Sequence, residues 1–282
     1  MLLGRRAVLD ISGVLACLPR LHSLHIESPI SPDFVPLPGL GPCSQLKYLT
    51  VVSDSNTSDS IPRLTIEYTK QEFLQSLART LARTPRLERL AVVPRISPNF
   101  GYKNNYKLVE LFGLDCIARC PPLSLRYLVL DYWMVTPLGV EAMLPHIRHL
   151  TSLVLGKYIT GDGDALWGAL ATTGTCLSVL EARASKRLMD YLGSYEGIVR
   201  LKLWYMSFKY DTYIVPILHV HRASLKDLSI FLRYHQDHGY NDILSRAISE
   251  CKNLQRLAIN VQQWVILSIF SFIYSDTFRS NF

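Results

Sequence analysis

The sequence lacks the short motifs that mark the commonest enzyme active sites. It has no GxGxxG, no Walker P-loop, no HExxH and no GxSxG, the patterns that position phosphates, metals or nucleophiles. None of its six cysteines forms a CxxC pair, and its eight histidines occur in close pairs without a full set of zinc ligands. The sequence therefore predicts a protein that is not an enzyme and that binds no cofactor or metal.

Two polar segments nevertheless come near to metal sites. Asp162 and Asp164 in TGDGDAL lack the further ligands and the Glu of a calcium loop, which favours a turn with a helix cap. His235, Asp237 and His238 in YHQDHGY are the best zinc candidates, although solvated loop histidines are the favoured interpretation. We expect the same for the other close pairs, His22/His25, His146/His149 and His219/His221.

The sequence also lacks an apolar run of the roughly 20 residues that a membrane-spanning helix needs. WVILSIFSFIY (264–274) is very apolar but only eleven residues long, which favours a final packed helix over a membrane anchor. Ile11, Val14, Leu15 and Leu18 fall at helical spacing, which favours an amphipathic helix over a signal peptide. The cysteines are a separate indication, and we interpret them as buried thiols in a reducing compartment. We therefore expect a cytoplasmic or nuclear protein.

Charged residues are scarce, at 19% of the chain, whereas apolar residues make up 49%. This composition allows a substantial core and argues against disorder along the whole length. With 282 residues the chain is long enough for one large domain or two small ones. Its net charge of +7 permits an acidic partner without requiring one.

What the sequence does contain is a phrase that recurs nine times. It reads L-x-x-L-x-φ, where φ is apolar, and copies follow one another at 21 to 41 residues, a period typical of leucine-rich repeats. Alternation of positions four and six predicts a short strand with both side chains buried. Leucine occupies the fourth position in every copy, as Leu24, Leu49, Leu90, Leu128, Leu153, Leu180, Leu201, Leu228 and Leu257.

Helices are predicted in the intervals between these strands. Thr69 and Glu72 in TKQEFLQSLARTLART have the spacing of a capping box, and residues 106–120 are similarly periodic. A single repeat of strand, turn, helix and turn cannot bury its apolar face alone, so stacked repeats would bury it together. Other helices are expected to start at Thr136 with Pro137, at Asp162 or Asp164, and at Asn241 with Ile243, Leu244, Ala247 and Ile248 on one side.

Two intervals depart from this pattern. Residues 27–43 contain five prolines and cannot form an ordinary helix, and residues 53–60 (SDSNTSDS) are predicted to be a polar loop. The phrase resumes on both sides of each interval. We therefore predict a single domain over residues 1–282, with repeats over about residues 9–262 and an apolar tail over 263–282.

Residues of about 9–262 resemble the leucine-rich repeat region of the ribonuclease-inhibitor-like group, and the uneven unit lengths resemble most those of fungal F-box proteins of this type. The resemblance implies an α/β leucine-rich-repeat solenoid, a horseshoe of about nine irregular repeats with parallel strands on the concave face and helices on the convex face. It also implies a non-catalytic protein–protein interaction scaffold, specifically the substrate-recognition region of an F-box-like protein. The segments that carry it are LPRLHSLHI, CSQLKYLTV, TPRLERLAV, LRYLVL, LTSLVL, LKDLSI and CKNLQRLAI.

The chain departs from that family in two ways. An F-box is a helical segment before the repeats, and the residues before Leu21 contain no such segment. A ubiquitin-ligase adaptor is therefore expected as a partner only if an upstream F-box exists, and the alternative is a stand-alone repeat adaptor unrelated to ubiquitin. Position nine of the repeat, usually Asn or Cys, here holds Pro29, Asp54, Arg95, Trp133, Tyr158, Ser185, Met206, Arg233 and Gln262.

Positions three, five and seven of each phrase alternate away from the buried leucines and are expected on the exposed face of the sheet. They bring Arg183, Arg200 and Lys202 to adjacent strands beside Trp204 and Phe231. Trp, Tyr and Arg are enriched in protein-binding hot spots. We predict that this face binds a protein segment with an acidic and an apolar group, through Tyr127, Asp131, Glu181, Arg183, Arg200, Lys202, Trp204, Asp227, Phe231 and Arg256.

Two other interpretations of this face stay open. Trp204 and Phe231 could be packed under the following loop, while the basic residues pair with Glu181 and Asp227. The basic and aromatic residues could instead bind nucleic acid through phosphate contacts and base stacking, although the acidic residues would repel phosphate. We therefore expect a protein partner rather than nucleic acid or a membrane.

Overall fold

The computed structural model describes residues 21–29, 45–54, 63–95, 106–156, 159–206, 211–232 and 242–260. Parallel sheets and helices dominate these residues, so the protein belongs to the α/β class. The chain divides into two compact units, residues 1–175 and residues 176–282. A single domain over 1–282 stays a prediction.

The described part of the first unit has eight strands, five α-helices and one 3-10 helix. The strands are β1 (Ser23–Pro29), β2 (Tyr48–Asp54), β3 (Arg89–Arg95), β4 (Tyr106–Lys107), β5 (Tyr127–Leu130), β6 (Trp133–Val135), β7 (Ser152–Leu155) and β8 (Thr160–Gly161). The helices are α1 (Arg63–Ala82), α2 (Leu108–Phe112), α3 (Asp115–Ala118), α4 (Pro137–Met143), the 3-10 helix (Leu144–His146) and α5 (Gly163–Thr172). Strands β1, β2, β3, β5 and β7 form a parallel sheet in that order, and β4, β6 and β8 form a small second one.

The second unit alternates strand and helix throughout its described residues. Strands β9 (Val179–Arg183), β10 (Arg200–Met206), β11 (Asp227–Leu232) and β12 (Arg256–Asn260) pair in parallel in that order. Helices α6 (Lys186–Gly193), α7 (Asp211–His221) and α8 (Asp242–Ser249) make the crossovers that parallel neighbours require. Neighbouring helices contact one another, α6 with α7 and α7 with α8.

The repeated phrase sets the register within each unit. In the first unit Leu24, Leu49, Leu90, Leu128 and Leu153 lie opposite one another on successive strands, and in the second unit Leu180, Leu201, Leu228 and Leu257 do the same. A slip by one residue would turn every such leucine to the other face, so burial of that face fixes the register. The prediction of a strand in each copy of the phrase is confirmed.

The leucines of the phrase form the core on one side of each sheet. Leu90 and Leu128 in the first unit and Leu180 and Leu228 in the second are fully buried. Each contributes roughly 1.5–3 kcal/mol relative to an exposed leucine. Leu257 differs, with 41% exposure, because β12 pairs only with β11 among the described strands.

Two predicted helix caps are confirmed. The Thr136 hydroxyl accepts a hydrogen bond from Gly139 N at 3.2 Å at the start of α4. Asp162 Oδ1 accepts from Asp164 N at 3.1 Å and from Ala165 N at 3.3 Å at the start of α5. Such caps satisfy backbone donors that have no partner within the helix. Asp162 is thus the cap of α5.

Three other details of the predicted helices were wrong. Helix α1 begins at Arg63 rather than at Thr69, because no glycine or proline interrupts the intervening residues. The segment 106–120 forms two short helices, separated at Gly113, rather than a single one. Ile243 is 65% exposed, while the other three apolar residues of α8 are buried. The predicted start at Asn241 lies outside the described residues.

The predicted loops begin later than expected. Strand β1 continues to Pro29 and β2 to Asp54, so residues 27–29 and 53–54 are extended. Proline is tolerated there because β1 lies at an edge of the pairing described, where one side of the strand needs no N–H donor. The rest of 27–43 and 53–60, the predicted N-terminal helix and the tail 263–282 lie outside the described residues.

The cysteines are less uniformly buried than predicted. Of the four described ones, Cys251 is buried, Cys116 and Cys120 are half-buried, and Cys176 is exposed. Cys176 directly precedes Leu177, which is buried. Successive side chains in extended backbone point in opposite directions, so burial of the leucine exposes the thiol. Separately, no helix among the described residues is long and apolar enough to cross a bilayer.

His146 and His221 are buried rather than solvated, with exposures of 4% and 1%. Nδ1 of His146 accepts a hydrogen bond from Leu123 N at 3.0 Å, and Nδ1 of His221 accepts from Ile198 N at 3.3 Å. Nε2 of His221 lies 3.0 Å from Leu192 O and donates to it, because Nδ1 is already an acceptor. These bonds compensate for burial, so the prediction of solvated histidines was wrong at both positions.

Candidate functional site

One side of the second unit's sheet carries the residues that alternate with the buried leucines. They form rows across the strands, because parallel pairing places equivalent positions of the phrase side by side. We call this set the strand face. Its first row holds Arg200, Asp227 and Arg256, its second Glu181 and Lys202, and its third Arg183, Trp204 and Phe231.

In the first row two arginines share one carboxylate. Arg200 Nε lies 3.0 Å and Arg256 Nη2 lies 3.1 Å from the same atom, Oδ2 of Asp227. The arginine side chains are 52% and 68% exposed, whereas that of Asp227 is 18% exposed. Among the described residues two guanidinium groups face this one carboxylate, which leaves one positive charge uncompensated. The row can therefore bind a further anion at its exposed edge.

In the second row Glu181 organises its neighbours. Its Oε1 atom accepts a hydrogen bond from Trp204 Nε1 at 3.1 Å and lies 3.0 Å from Lys202 Nζ. Lys202 Nζ also lies 4.1 Å from the ring centroid of Trp204 and 5.7 Å from that of Phe231. Ammonium groups at such distances from aromatic rings make favourable cation–π contacts. These contacts fix the orientation of the indole.

The third row presents an aromatic platform. The rings of Trp204 and Phe231 are stacked, with centroids 4.4 Å apart and planes at 24°, and both residues are half-buried. The register of β10 with β11 is irregular between Leu203 and Met206, and such bulges re-aim side chains. Ala184, the residue after β9, donates its N–H to Trp204 O at 3.0 Å. This bond holds the irregular segment of β10 beside the end of β9. Arg183 is exposed at the end of β9, opposite Trp204.

The alternative interpretation of this face is correct in one respect. The basic residues Arg200 and Lys202 do pair with Asp227 and Glu181. Its other part, packing of the two aromatic rings under a following loop, concerns residues 207–210 and 233–241, which lie outside the described residues. The pairs leave the arginines of the first row largely exposed, so pairing does not remove them from the surface.

The two remaining predicted site residues, Tyr127 and Asp131, belong to the first unit. Asp131 Oδ1 accepts a hydrogen bond from Tyr132 N at 3.0 Å. Tyr132 has φ of 60°, in the left-handed region that non-glycine residues seldom adopt. A Cβ on Gly156 would overlap the Asp131 carboxylate, so a larger residue there would have to displace this side chain. Asp131 thus holds a turn between β5 and β6, and its part in binding stays a prediction.

Tyr127 lies beside an arginine that the prediction did not include. The guanidinium carbon of Arg89 lies 4.9 Å from the ring centroid of Tyr48 and 5.7 Å from that of Tyr127. The three residues are opposite one another on β2, β3 and β5. All three stand at position three of consecutive phrases, so comparing equivalent positions across phrases would have found the group.

The described residues contain no group of three or more potential metal ligands. The best zinc candidates of the sequence, His235, Asp237 and His238, lie outside the described residues. The arrangement of the strand face, with paired charges around an aromatic platform, is suited to binding through charge-assisted hydrogen bonds and ring contacts.

Comparisons of the chain with models of known protein families and with curated proteins find no match.

Proposed function

We propose that this chain is a leucine-rich-repeat solenoid of about nine irregular repeats that binds protein partners through the strand face and catalyses no reaction. The observation that carries the proposal is the stacked, half-buried pair Trp204–Phe231 beside Lys202. Tryptophan and arginine dominate binding energy in protein interfaces, where surrounding contacts exclude water. The regular pairing of the fourth-position leucines supports the solenoid, because each successive strand of the second unit pairs in the same register.

The strand face indicates the chemistry of the partner. Its first row carries the uncompensated positive charge, and its third row carries the aromatic rings. Along β10 these rows are four residues apart, from Arg200 to Trp204, which corresponds to about 13 Å at the rise of a parallel strand. A partner in extended conformation would match them with an acidic residue and an apolar residue four positions apart.

Within this proposal, the specific version is the substrate-recognition region of an F-box-like protein in the cytoplasm or nucleus. Its support is the resemblance of the uneven repeats to those of fungal F-box proteins. A stand-alone repeat adaptor differs from it in one observable way. The test is to map the 5′ and 3′ ends of the native transcript and to express the protein that it encodes. An F-box-like protein would bind a ubiquitin-ligase adaptor, whereas a stand-alone repeat adaptor would not.

Selection of random 12-residue peptides on the full chain tests binding by the strand face. Synthetic copies of the selected peptides are then measured by fluorescence anisotropy against the wild type and Arg200→Glu/Trp204→Ala. We expect the double variant to bind at least about tenfold more weakly, because loss of a hot spot costs about 2 kcal/mol or more. Arg119→Glu is the matched control, since Arg119 is also an exposed, ion-paired arginine.

The result that would contradict the proposal is a set of selected peptides that all bind the double variant as tightly as the wild type. Far-UV circular dichroism and thermal unfolding establish that the double variant keeps its fold. Some peptides could depend on the strand face but show another spacing of acidic and apolar residues. That result would contradict the extended conformation of the partner, while binding by the strand face would stand.

A further inference from the structure

Arg89 occupies a preorganised position in the first unit. Its guanidinium group contacts the rings of Tyr48 and Tyr127, on the strands at either side of β3. Contact of a planar guanidinium group with aromatic rings restricts its rotation while its N–H donors stay directed outward in the plane. An arginine that is held in this way loses less conformational entropy on binding than a free one.

The charge of Arg89 has no acidic partner among the described residues, and its side chain is exposed. By contrast, Arg200, Lys202 and Arg256 in the second unit each contact a carboxylate. The neighbouring acidic residue, Glu88, is 3.2 Å from Lys47 Nζ. Arg89 therefore offers two or more N–H donors and one positive charge to a ligand.

The surroundings limit which anion fits. The next position on the same face of the three strands is held by Thr50, Ala91 and Val129, which are uncharged and half-buried. Nucleic acid binding requires several phosphate contacts, and this group supplies a single cation. A carboxylate beside an apolar group matches the charge, the planar fork of the guanidinium and the uncharged neighbours.

We propose that Arg89, Tyr48 and Tyr127 form a binding site for the side-chain carboxylate of an Asp or Glu in a protein partner, with an adjacent apolar residue over Ala91 and Val129. Arg89 binds the carboxylate through paired N–H donors. Tyr48 and Tyr127 position Arg89 and contribute ring surface at the rim. The site lies wholly within the first unit and does not depend on the strand face of the second.

The test uses random 12-residue peptides selected on the full chain, sorted by the variant that loses them. We expect one class of acidic peptides that binds Arg200→Glu/Trp204→Ala normally and binds Arg89→Gln at least about tenfold more weakly, the loss expected for a charge-assisted pair. Arg89→Lys is expected to weaken the same peptides, because lysine lacks the planar fork. Arg86→Gln is the control, since Arg86 is exposed and bonds Gln45.

A double-mutant cycle establishes that the carboxylate itself is recognised. Changing the peptide's Glu to Gln should weaken binding to the wild type and have little further effect on Arg89→Gln. Absence of any Arg89-dependent acidic peptide overturns the proposal, as does an additive cycle. Tighter binding of a phosphoserine peptide than of the Glu peptide would also overturn it, in favour of a phosphate site. Loss of peptides only in the strand-face variant would support the proposed function while refuting this site.

Discussion

His221 is expected to stabilise the second unit by joining elements that are distant in sequence. Its Nδ1 accepts from Ile198 N at 3.3 Å, just before β10, and its Nε2 donates to Leu192 O at 3.0 Å in α6. His221→Leu removes both bonds and leaves the two backbone groups without these partners. Each unsatisfied buried group costs about 1–3 kcal/mol, so for the two groups we expect a loss of about 2–6 kcal/mol in the free energy of unfolding.

The contribution of His221 should depend on pH. Burial lowers the pKa of His221, while the hydrogen bond to Leu192 and the charge of Glu196 oppose this effect in part. The unfolded chain therefore takes up a proton at a higher pH than the folded chain does. The stability that neutral His221 contributes is fully present above about pH 6.5 and is lost as the pH falls below it, at up to about 1.4 kcal/mol per pH unit.

Urea unfolding at pH 7.5 and pH 5.5, followed by far-UV circular dichroism, measures both effects. The difference between wild type and His221→Leu should be largest at pH 7.5 and smaller at pH 5.5, because leucine does not titrate. Hydrogen–deuterium exchange of residues 186–200 reports on the second unit alone. His149→Gln, at an exposed histidine, is the control. A variant as stable as wild type at pH 7.5, or a difference independent of pH, would refute this role of a neutral buried histidine.

Three further predictions concern the core and the surface. Leu201→Asp should abolish cooperative urea unfolding of the second unit, whereas Leu257→Asp, at a position with 41% exposure, should cost less than about 1 kcal/mol, since exposed sites are tolerant. Gly156→Ala should lower stability by about 0.5–1.5 kcal/mol, measured by urea unfolding, because its Cβ would displace the Asp131 carboxylate from its hydrogen bond to Tyr132 N. Iodoacetamide should modify Cys176 before Cys251 in peptide mass spectrometry, because burial raises the pKa of the Cys251 thiol; equal rates would contradict this assignment.

The strands could be predicted from the sequence because a single spacing determines both their face and their register. Leu201 and Leu228 stand at the same position of the phrase, so burial of one side of the sheet requires them to be neighbours. The cap at Thr136 was equally predictable, since a hydroxyl before proline satisfies a local backbone donor. Both inferences use interactions that are either local or repeated.

The parts of the site that could not be predicted depend on contacts between distant residues. The sharing of Asp227 by Arg200 and Arg256 follows from side-chain conformations on three strands, which composition does not determine. The irregular register of β10 beside the half-buried Trp204 cannot be read from the spacing of the leucines. The strand face could thus be predicted, and so could the pairing of its basic residues with Glu181 and Asp227, as one of two alternatives. The second arginine on Asp227 and the bond from Trp204 to Glu181 could not.

The buried histidines show that position within the phrase carries information that residue type alone does not. His146 and His221 each stand four residues before the first apolar residue of the next phrase, Leu150 and Leu225. Each accepts a hydrogen bond from a backbone N–H 23 residues earlier, so this position faces the preceding phrase in both units. In the proposed solenoid, stability would be a sum over repeats and neighbour contacts, so each such bond would strengthen one contact. Replacing His146 should therefore increase hydrogen exchange around residue 123 while leaving residues 186–200 unchanged.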